Sequence, residues 1–236
     1  GAGSFPTGWE AYITALKTTT GRTPLWVGAD FGWGEWSESW LQRLADHYRA
    51  GGLVAISWHA SNPFTGGPDT DLARGSVDEL LTDGTNANSR LVAGLAQQAA
   101  RLLWLQSAGV STIFRPWHEA NGQWAWWENW LPDDYRRLWR YTYQFMTARG
   151  LTLAWLFSPN RWYYGLARPE VYYPGPEGCD LVGLDHYGNH LDEVPAGGYT
   201  ALAGLGKPFL LGEFGPGSGG SEPAAGAPDT IPNAPA

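Results

Sequence analysis

Short apolar runs recur along this chain, separated by longer amphipathic stretches, and that alternation limits the folds open to it. PLWVGADF (24–31), GLVAISWH (52–59), STIFRPW (111–117), LTLAWLF (151–157), CDLVGLDHY (179–187) and KPFLLGEF (207–214) have the length and continuous hydrophobicity of buried strands. Between several of them the apolar residues fall at helical spacing. WSESWLQRLADHYRAGG and RLVAGLAQQAARLLWLQSAG both close on glycine, which suits a helix C-cap. LPDDYRRLWRYTYQFMTARG opens with Pro132, Asp133 and Asp134, favourable in a first turn, and closes at Gly150. Strand–helix repetition predicts an α/β protein with a parallel sheet covered by helices. It leaves a doubly wound open sheet and an eightfold barrel as the alternatives.

Composition narrows the partners. A length of 236 residues suits one large domain or two small ones. The net charge of −8 argues against a nucleic-acid surface, which would be basic. No apolar run approaches the roughly 20 residues of a membrane-spanning helix. Cys179 is the only cysteine, which excludes an intrachain disulfide and a cysteine-rich metal site. The start, GAGSFPTGWE, has no leader-like pattern, so the chain is either cytosolic or has lost a leader. Its 15 Trp and 11 Tyr suit either core packing or the recognition of flat-faced ligands such as sugars. Residues 61–88 form a long polar stretch, expected to be a functional or mobile loop. Residues 216–236 are rich in Pro, Gly and Ala and read as a linker or disordered tail after a domain spanning 1–215.

Each apolar run turns polar or aromatic at its C-terminal end: SWH, RPWHE, SPN, DHY and GEF. In parallel α/β folds ligands bind at that end of the strands. Alternation gives Arg115, Trp117 and Glu119 one parity, and puts Phe209, Leu211 and Glu213 on one face. Glu119 and Glu213 are then candidates to converge over a shared mouth, with Arg115, His118 and Tyr187 nearby. Two carboxyl groups among aromatics suit glycosidic bond cleavage, one donating a proton and the other attacking or stabilising the sugar cation.

RPWHEANGQWAWW, SWHASNP, SPN, DLVGLDHYG and LGEFG resemble, in that chain order, the motifs of glycoside hydrolase family 26, best known for endo-β-1,4-mannanases. The resemblance covers residues 24 to 215. It implies a (β/α)8 barrel of TIM type and a retaining, double-displacement mechanism, with Glu119 as acid/base and Glu213 as nucleophile. Arg115 would keep Glu213 ionised, Tyr187 would orient it, and His118 would help bind at the cleavage subsite. His59 and Trp58 would line the sugar cleft and Trp124 would be a stacking platform. Trp126, Trp127 and Trp162 are equally suited to stacking or packing. Asp30, Asp185 and Asn160 would bond sugar hydroxyls or the local backbone. The chemistry calls for no metal or organic cofactor.

Counting strands against the resemblance makes STIFRPW the fourth and KPFLLGEF the seventh, so only six are clear. The barrel is expected to be incomplete or open, either as a fragment or as a diverged fold. The expected partner is a polysaccharide, β-mannan first, with β-1,3-xylan and mixed-linkage β-glucan as alternatives. No nucleic acid or membrane partner is expected, and the expected form is a monomer acting outside the cell. A non-catalytic carbohydrate-binding descendant is the competing reading. A nucleotide-binding domain lacks its glycine-rich phosphate loop here.

Overall fold

The structure, a computed structural model, describes residues 9–32, 36–162, 165–188 and 198–215. The stretch 216–236, expected to be a tail, lies outside the described residues. Six parallel strands, β1 (Trp26–Asp30), β2 (Leu53–Trp58), β3 (Thr112–Pro116), β4 (Ala154–Phe157), β5 (Leu181–Tyr187) and β6 (Phe209–Gly215), pair in sequence order. A doubly wound sheet reverses its strand order, and this one does not. The architecture is that of an incomplete (β/α)8 barrel. Among the described residues, β1 pairs only with β2 and β6 only with β5.

Among the described residues, six α-helices, α1 (Trp9–Thr20), α2 (Glu38–Arg49), α3 (Val77–Leu81), α4 (Asn86–Ser107), α5 (Pro132–Thr147) and α6 (Thr200–Ala203), connect or flank the strands. Their ends follow from the sequence. Ser37, Ser76 and Thr85 cap α2, α3 and α4 by accepting backbone N–H groups. Gly109 and Gly150 end α4 and α5 at φ 84° and 78°, where a side chain would be strained. The stretch 61–88 is not a featureless loop. Asn62 is buried and binds the carbonyls of Asp71 and Ala73, and α3 and the first turn of α4 complete the segment.

Strand alternation divides the apolar residues into two layers. Val54, Ile56, Phe114, Trp155, Phe157, Val182 and Leu184 face the helices and form the main core with Leu44, Leu95 and Trp139. The other face carries a smaller cluster, Ala55, Ile113 and Leu156, with Trp26, Leu181 and Leu210 against it. Further along that second face come Asp30, Ser57, Arg115, Ser158 and Asp185, all buried. The barrel interior is thus apolar at its floor and polar at its mouth. Arg115 on β3 reaches Ser57 on β2, Asp185 on β5 and Glu213 on β6. Side chains standing off a flat sheet would run side by side, so that convergence requires the sheet to curl.

The expected shared face of Phe209, Leu211 and Glu213 is corrected by a bulge. Leu184 pairs with Leu211 but Asp185 pairs with Glu213, which leaves Gly212 as an extra residue in β6. Leu211 packs towards the helices and Leu210 towards the interior, while Glu213 enters the mouth only because the bulge resets the alternation. Glycine is required at that point. A Cβ on Gly212 would lie 2.2 Å from Ser158 Oγ and 2.5 Å from Asp185 Oδ1.

Candidate active site

Glu119 does not arrive by strand alternation either. β3 ends at Pro116, and both Trp117 (φ 50°) and Glu119 (φ 57°) take the left-handed conformation. For residues other than glycine this costs of order 1–3 kcal/mol each and is typical of functional sites. Trp117 is thereby turned into the main core, against Trp58, with its indole N–H on Thr142 of α5. The Glu119 N–H bonds the Ser158 carbonyl at the end of β4 at 2.8 Å, which locks the turn to the neighbouring strand. The result is a carboxyl group held at the mouth and only 8% exposed.

Glu213 meets a different environment. Arg115 donates to its Oε1, and the Tyr187 hydroxyl donates to its Oε2 at 2.7 Å. The other Arg115 nitrogens bond Asp185 at 2.5 Å and Ser57 at 2.8 Å. Asp185 also accepts the Ser158 hydroxyl at 2.5 Å. A fully buried guanidinium with each nitrogen engaged is a rigid cation beside the carboxylate.

These environments drive the two carboxyl groups apart. Burial pushes Glu119 up to about 8, and the charges of Glu213 and Glu128 add to that; the Trp124 indole bond and Arg115 oppose it. Burial also works against an ionised Glu213, but the Arg115 charge and the Tyr187 and Arg115 bonds outweigh it and hold Glu213 below its ordinary value. At neutral pH one carboxyl is protonated while its neighbour is ionised. Such divergence marks an acid and a nucleophile or base.

Histidines line the same mouth. Asp30 accepts from Gly32 N–H at 2.6 Å and from His59 N–H at 3.1 Å, and its Oδ2 lies 2.6 Å from His59 Nδ1. His59 Nε2 lies 3.2 Å from His118 Nε2, which is 3.9 Å from Glu213 Oε1. Burial, Arg115 and His59 together hold His118 well below the ordinary histidine range, so it is neutral. Asp30, His59 and His118 therefore form one hydrogen-bonded row across the mouth that ends beside Glu213.

Of the expected residues, the structure joins Arg115, His118, Glu119, Tyr187, Glu213, His59 and Trp124 into one cluster. Trp124 donates its indole N–H to Glu119 Oε2 at 2.6 Å and is 38% exposed, as a stacking platform must be. Two expectations need correction. Trp58 is buried against Trp117 on the helix side, beside a cavity between β2 and α4 that His59 also lines, and not at the mouth that holds Glu119 and Glu213. Asp185 is completely buried, with both oxygens engaged by Arg115 and Ser158, so it braces the arginine and leaves no oxygen for a sugar hydroxyl. Asp30 takes the second of its two expected roles, accepting the backbone N–H groups of Gly32 and His59 beside the His59 ring. Trp126 and Trp127 resolve as packing, fully buried with their indole N–H groups on Ala60 and His118 carbonyls. Trp162 bonds the Leu166 carbonyl, and Arg168 covers its ring at 4.1 Å. Asn160 is buried, its N–H on Asn121.

Sequence reasoning missed Ser57, Ser158 and Glu128. The serines stood in view in SWH and SPN, where a hydroxyl on the interior parity was the usable signal. Glu128 carried no signal, being one acidic residue past a tryptophan pair.

Comparison with known proteins agrees with this fold. The model of Glycosyl hydrolase family 26 matches residues 33–226, reaching into the stretch expected to be a tail. A mannan endo-1,4-beta-mannosidase of Bacillus subtilis is 34% identical over 229 residues, covering 85% of this chain and 60% of the relative. An Endoglucanase H of Acetivibrio thermocellus is 26% identical, covering 75% of this chain and 19% of that protein. Among solved structures, Bacillus subtilis mannanase man26 superposes with a TM-score of 0.78 at 31% identity, covering 87% of this chain and 67% of that one. This chain spans about 60% of the length of the Bacillus mannosidase. The chain belongs to glycosyl hydrolase family 26.

Proposed function

We propose that this chain carries the catalytic machinery of a retaining, endo-acting glycoside hydrolase that cleaves β-1,4-mannosidic bonds in mannan-type polysaccharides. The observation that carries the reading is the unlike bonding of two neighbouring carboxyl groups: Glu119 is buried with only the Trp124 indole N–H on its carboxyl group, whereas Glu213 accepts from Arg115 and Tyr187, so that Glu119 is pushed up to about 8 and Glu213 is held low. In the first step Glu213 attacks the anomeric carbon. The glycosidic C–O bond breaks, and the Glu119 proton passes to the leaving oxygen. In the second, water attacks the same carbon and gives its proton to Glu119, and the bond to Glu213 breaks. Arg115 and Tyr187 keep the nucleophile ionised and aimed, and Trp124 supports both the acid and a sugar ring.

Mannan is the preferred substrate because relatives covering most of this chain carry the name mannan endo-1,4-beta-mannosidase. The relative named as an endoglucanase makes mixed-linkage β-glucan the second reading. A polymer of this kind is met outside the cell, which is where the proposed activity would act. A purely sugar-binding role fits less well, because binding has no use for a neutral acid set against an ionised carboxylate.

Reducing-end release from β-mannan, β-1,3-xylan and mixed-linkage β-glucan tests the reading, with Glu213→Ala as the control. Turnover on mannan that the substitution abolishes, with sugar binding retained, is expected. Binding without release on all three polymers would replace hydrolysis with recognition, and Glu213→Ala activity within tenfold of wild type would remove Glu213 from its role.

A further inference from the structure

The loop after β3 holds a further buried carboxyl group that the two-carboxyl chemistry leaves unused. Glu128 is 2% exposed, its Oε2 accepts the backbone N–H of Trp124 at 2.7 Å, and its Oε1 has no partner among the described residues. Burying a carboxyl group with an empty lone pair is costly, so the group is neutralised or retained for a purpose. Burial pushes Glu128 up to about 8, against the Trp124 and Ala125 N–H groups, with Asp69 and Asp185 adding to the rise. The packing is close: a Cβ on Gly122 would lie 2.5 Å from Glu128 Oε2 and 2.8 Å from the Trp124 ring.

Trp124 supplies the purpose. Its indole N–H is the one donor to the Glu119 carboxyl group among the hydrogen bonds of the described residues, at 2.6 Å, yet at 38% exposure packing alone does not fix the ring. Its main chain must be held instead, and Glu128 holds it. We propose that Glu128 is a positioning residue for the acid: by fixing the Trp124 backbone it aims the indole N–H at Glu119. The inference rests on Glu119 as proton donor. The rest of the loop has separate anchors. Arg74 donates to the carbonyls of Trp126, Glu128 and Asn129, Trp126 N–H bonds Asp69 O, and Asn129 N–H bonds Ala120 O. Removing the Glu128 carboxyl therefore frees Trp124 locally.

Glu128→Gln keeps an oxygen for the Trp124 N–H, whereas Glu128→Met fills the same space without an acceptor. The first readout is independent of turnover. The Trp124 indole N–H resonance, assigned through Trp124→Phe, is followed against pH. In the wild type it shifts as Glu119 titrates; Glu128→Gln keeps that shift and Glu128→Met loses it. The second readout is kcat on β-mannan, expected to fall roughly 10- to 100-fold in Glu128→Met with KM within about twofold, and to stay within about threefold in Glu128→Gln. If Glu128→Met does not fold, Glu128→Ala takes its place. An unchanged indole titration in the acceptor-free variant would overturn the proposal, as would equal damage in Glu128→Gln. A wild type inactive on every β-glycan would remove the hydrolase reading, while the indole titration would still decide the role of Glu128.

Discussion

Arg115, buried on the third strand, donates to the partly buried Glu213 on the sixth at the mouth of the curled sheet. One contact ties the sheet's curvature to the charge state of the nucleophile. Replacing Arg115 with Ala leaves Asp185 and Glu213 facing each other without their cation. Loss of one partner of a buried pair costs about 3–5 kcal/mol, so a lowered melting temperature is expected. Arg115→Lys, which cannot make the three-way bond, should fold better yet lose roughly 100-fold in kcat/KM. Thermal melts and steady-state kinetics on the two variants check this.

Tyr187→Phe removes one hydrogen bond from Glu213 and little else. A bond to a charged group contributes about 1.5–3 kcal/mol, so a fall of roughly 10- to 100-fold in kcat is expected. The bond favours the ionised form, so its loss raises the Glu213 pKa. The acid limb of the rate profile should move to higher pH. A profile displaced the other way would contradict the assignment.

Glu119 must be protonated to act, and it is pushed up to about 8. Activity should therefore decline above about pH 8, on a limb that tracks this group. Its raised pKa also bears on stability. The folded state binds the proton more tightly than the unfolded chain, so the associated stability is full below about pH 4.5 and is lost as pH rises through about 8. Glu119→Gln has no such loss. It should abolish most turnover while raising the melting temperature at pH 8, and the gain should shrink towards pH 5. A gain of about 1 kcal/mol would appear as about 2–4 °C.

The bulge in β6 is tested by Gly212→Ala. The added Cβ would collide with Ser158 Oγ and Asp185 Oδ1, neither of them at the end of a flexible chain. Expression of folded protein should drop sharply, and whatever folds should have lost the Glu213 position and hence activity. A variant with wild-type melting and rate would show that the bulge is dispensable.

The sequence made the strands legible because each is a continuous apolar run, and it made the mouth legible because polar residues gather at one end of each run. Glu119, Glu213, Arg115 and Tyr187 came from that pattern together with the motif. Directions were harder to read. Alternation assumes unbroken strands, and it failed at Trp117 and Glu119, where the backbone turns left-handed, and at Gly212, where one extra residue resets the count. Burial was equally hidden. Trp58 and Asp185 looked like ligands for sugar because they sit beside the site in sequence, but a partner on a distant element, Trp117 or Arg115, holds each of them inside.

The most direct test of the account follows the carboxyl carbons of Glu119 and Glu213 by 13C NMR across pH, with each signal assigned by its own Gln substitution. The account predicts that Glu119 titrates near pH 8 and that Glu213 titrates below the ordinary glutamate range. Two glutamates titrating together near 4.5 would contradict it.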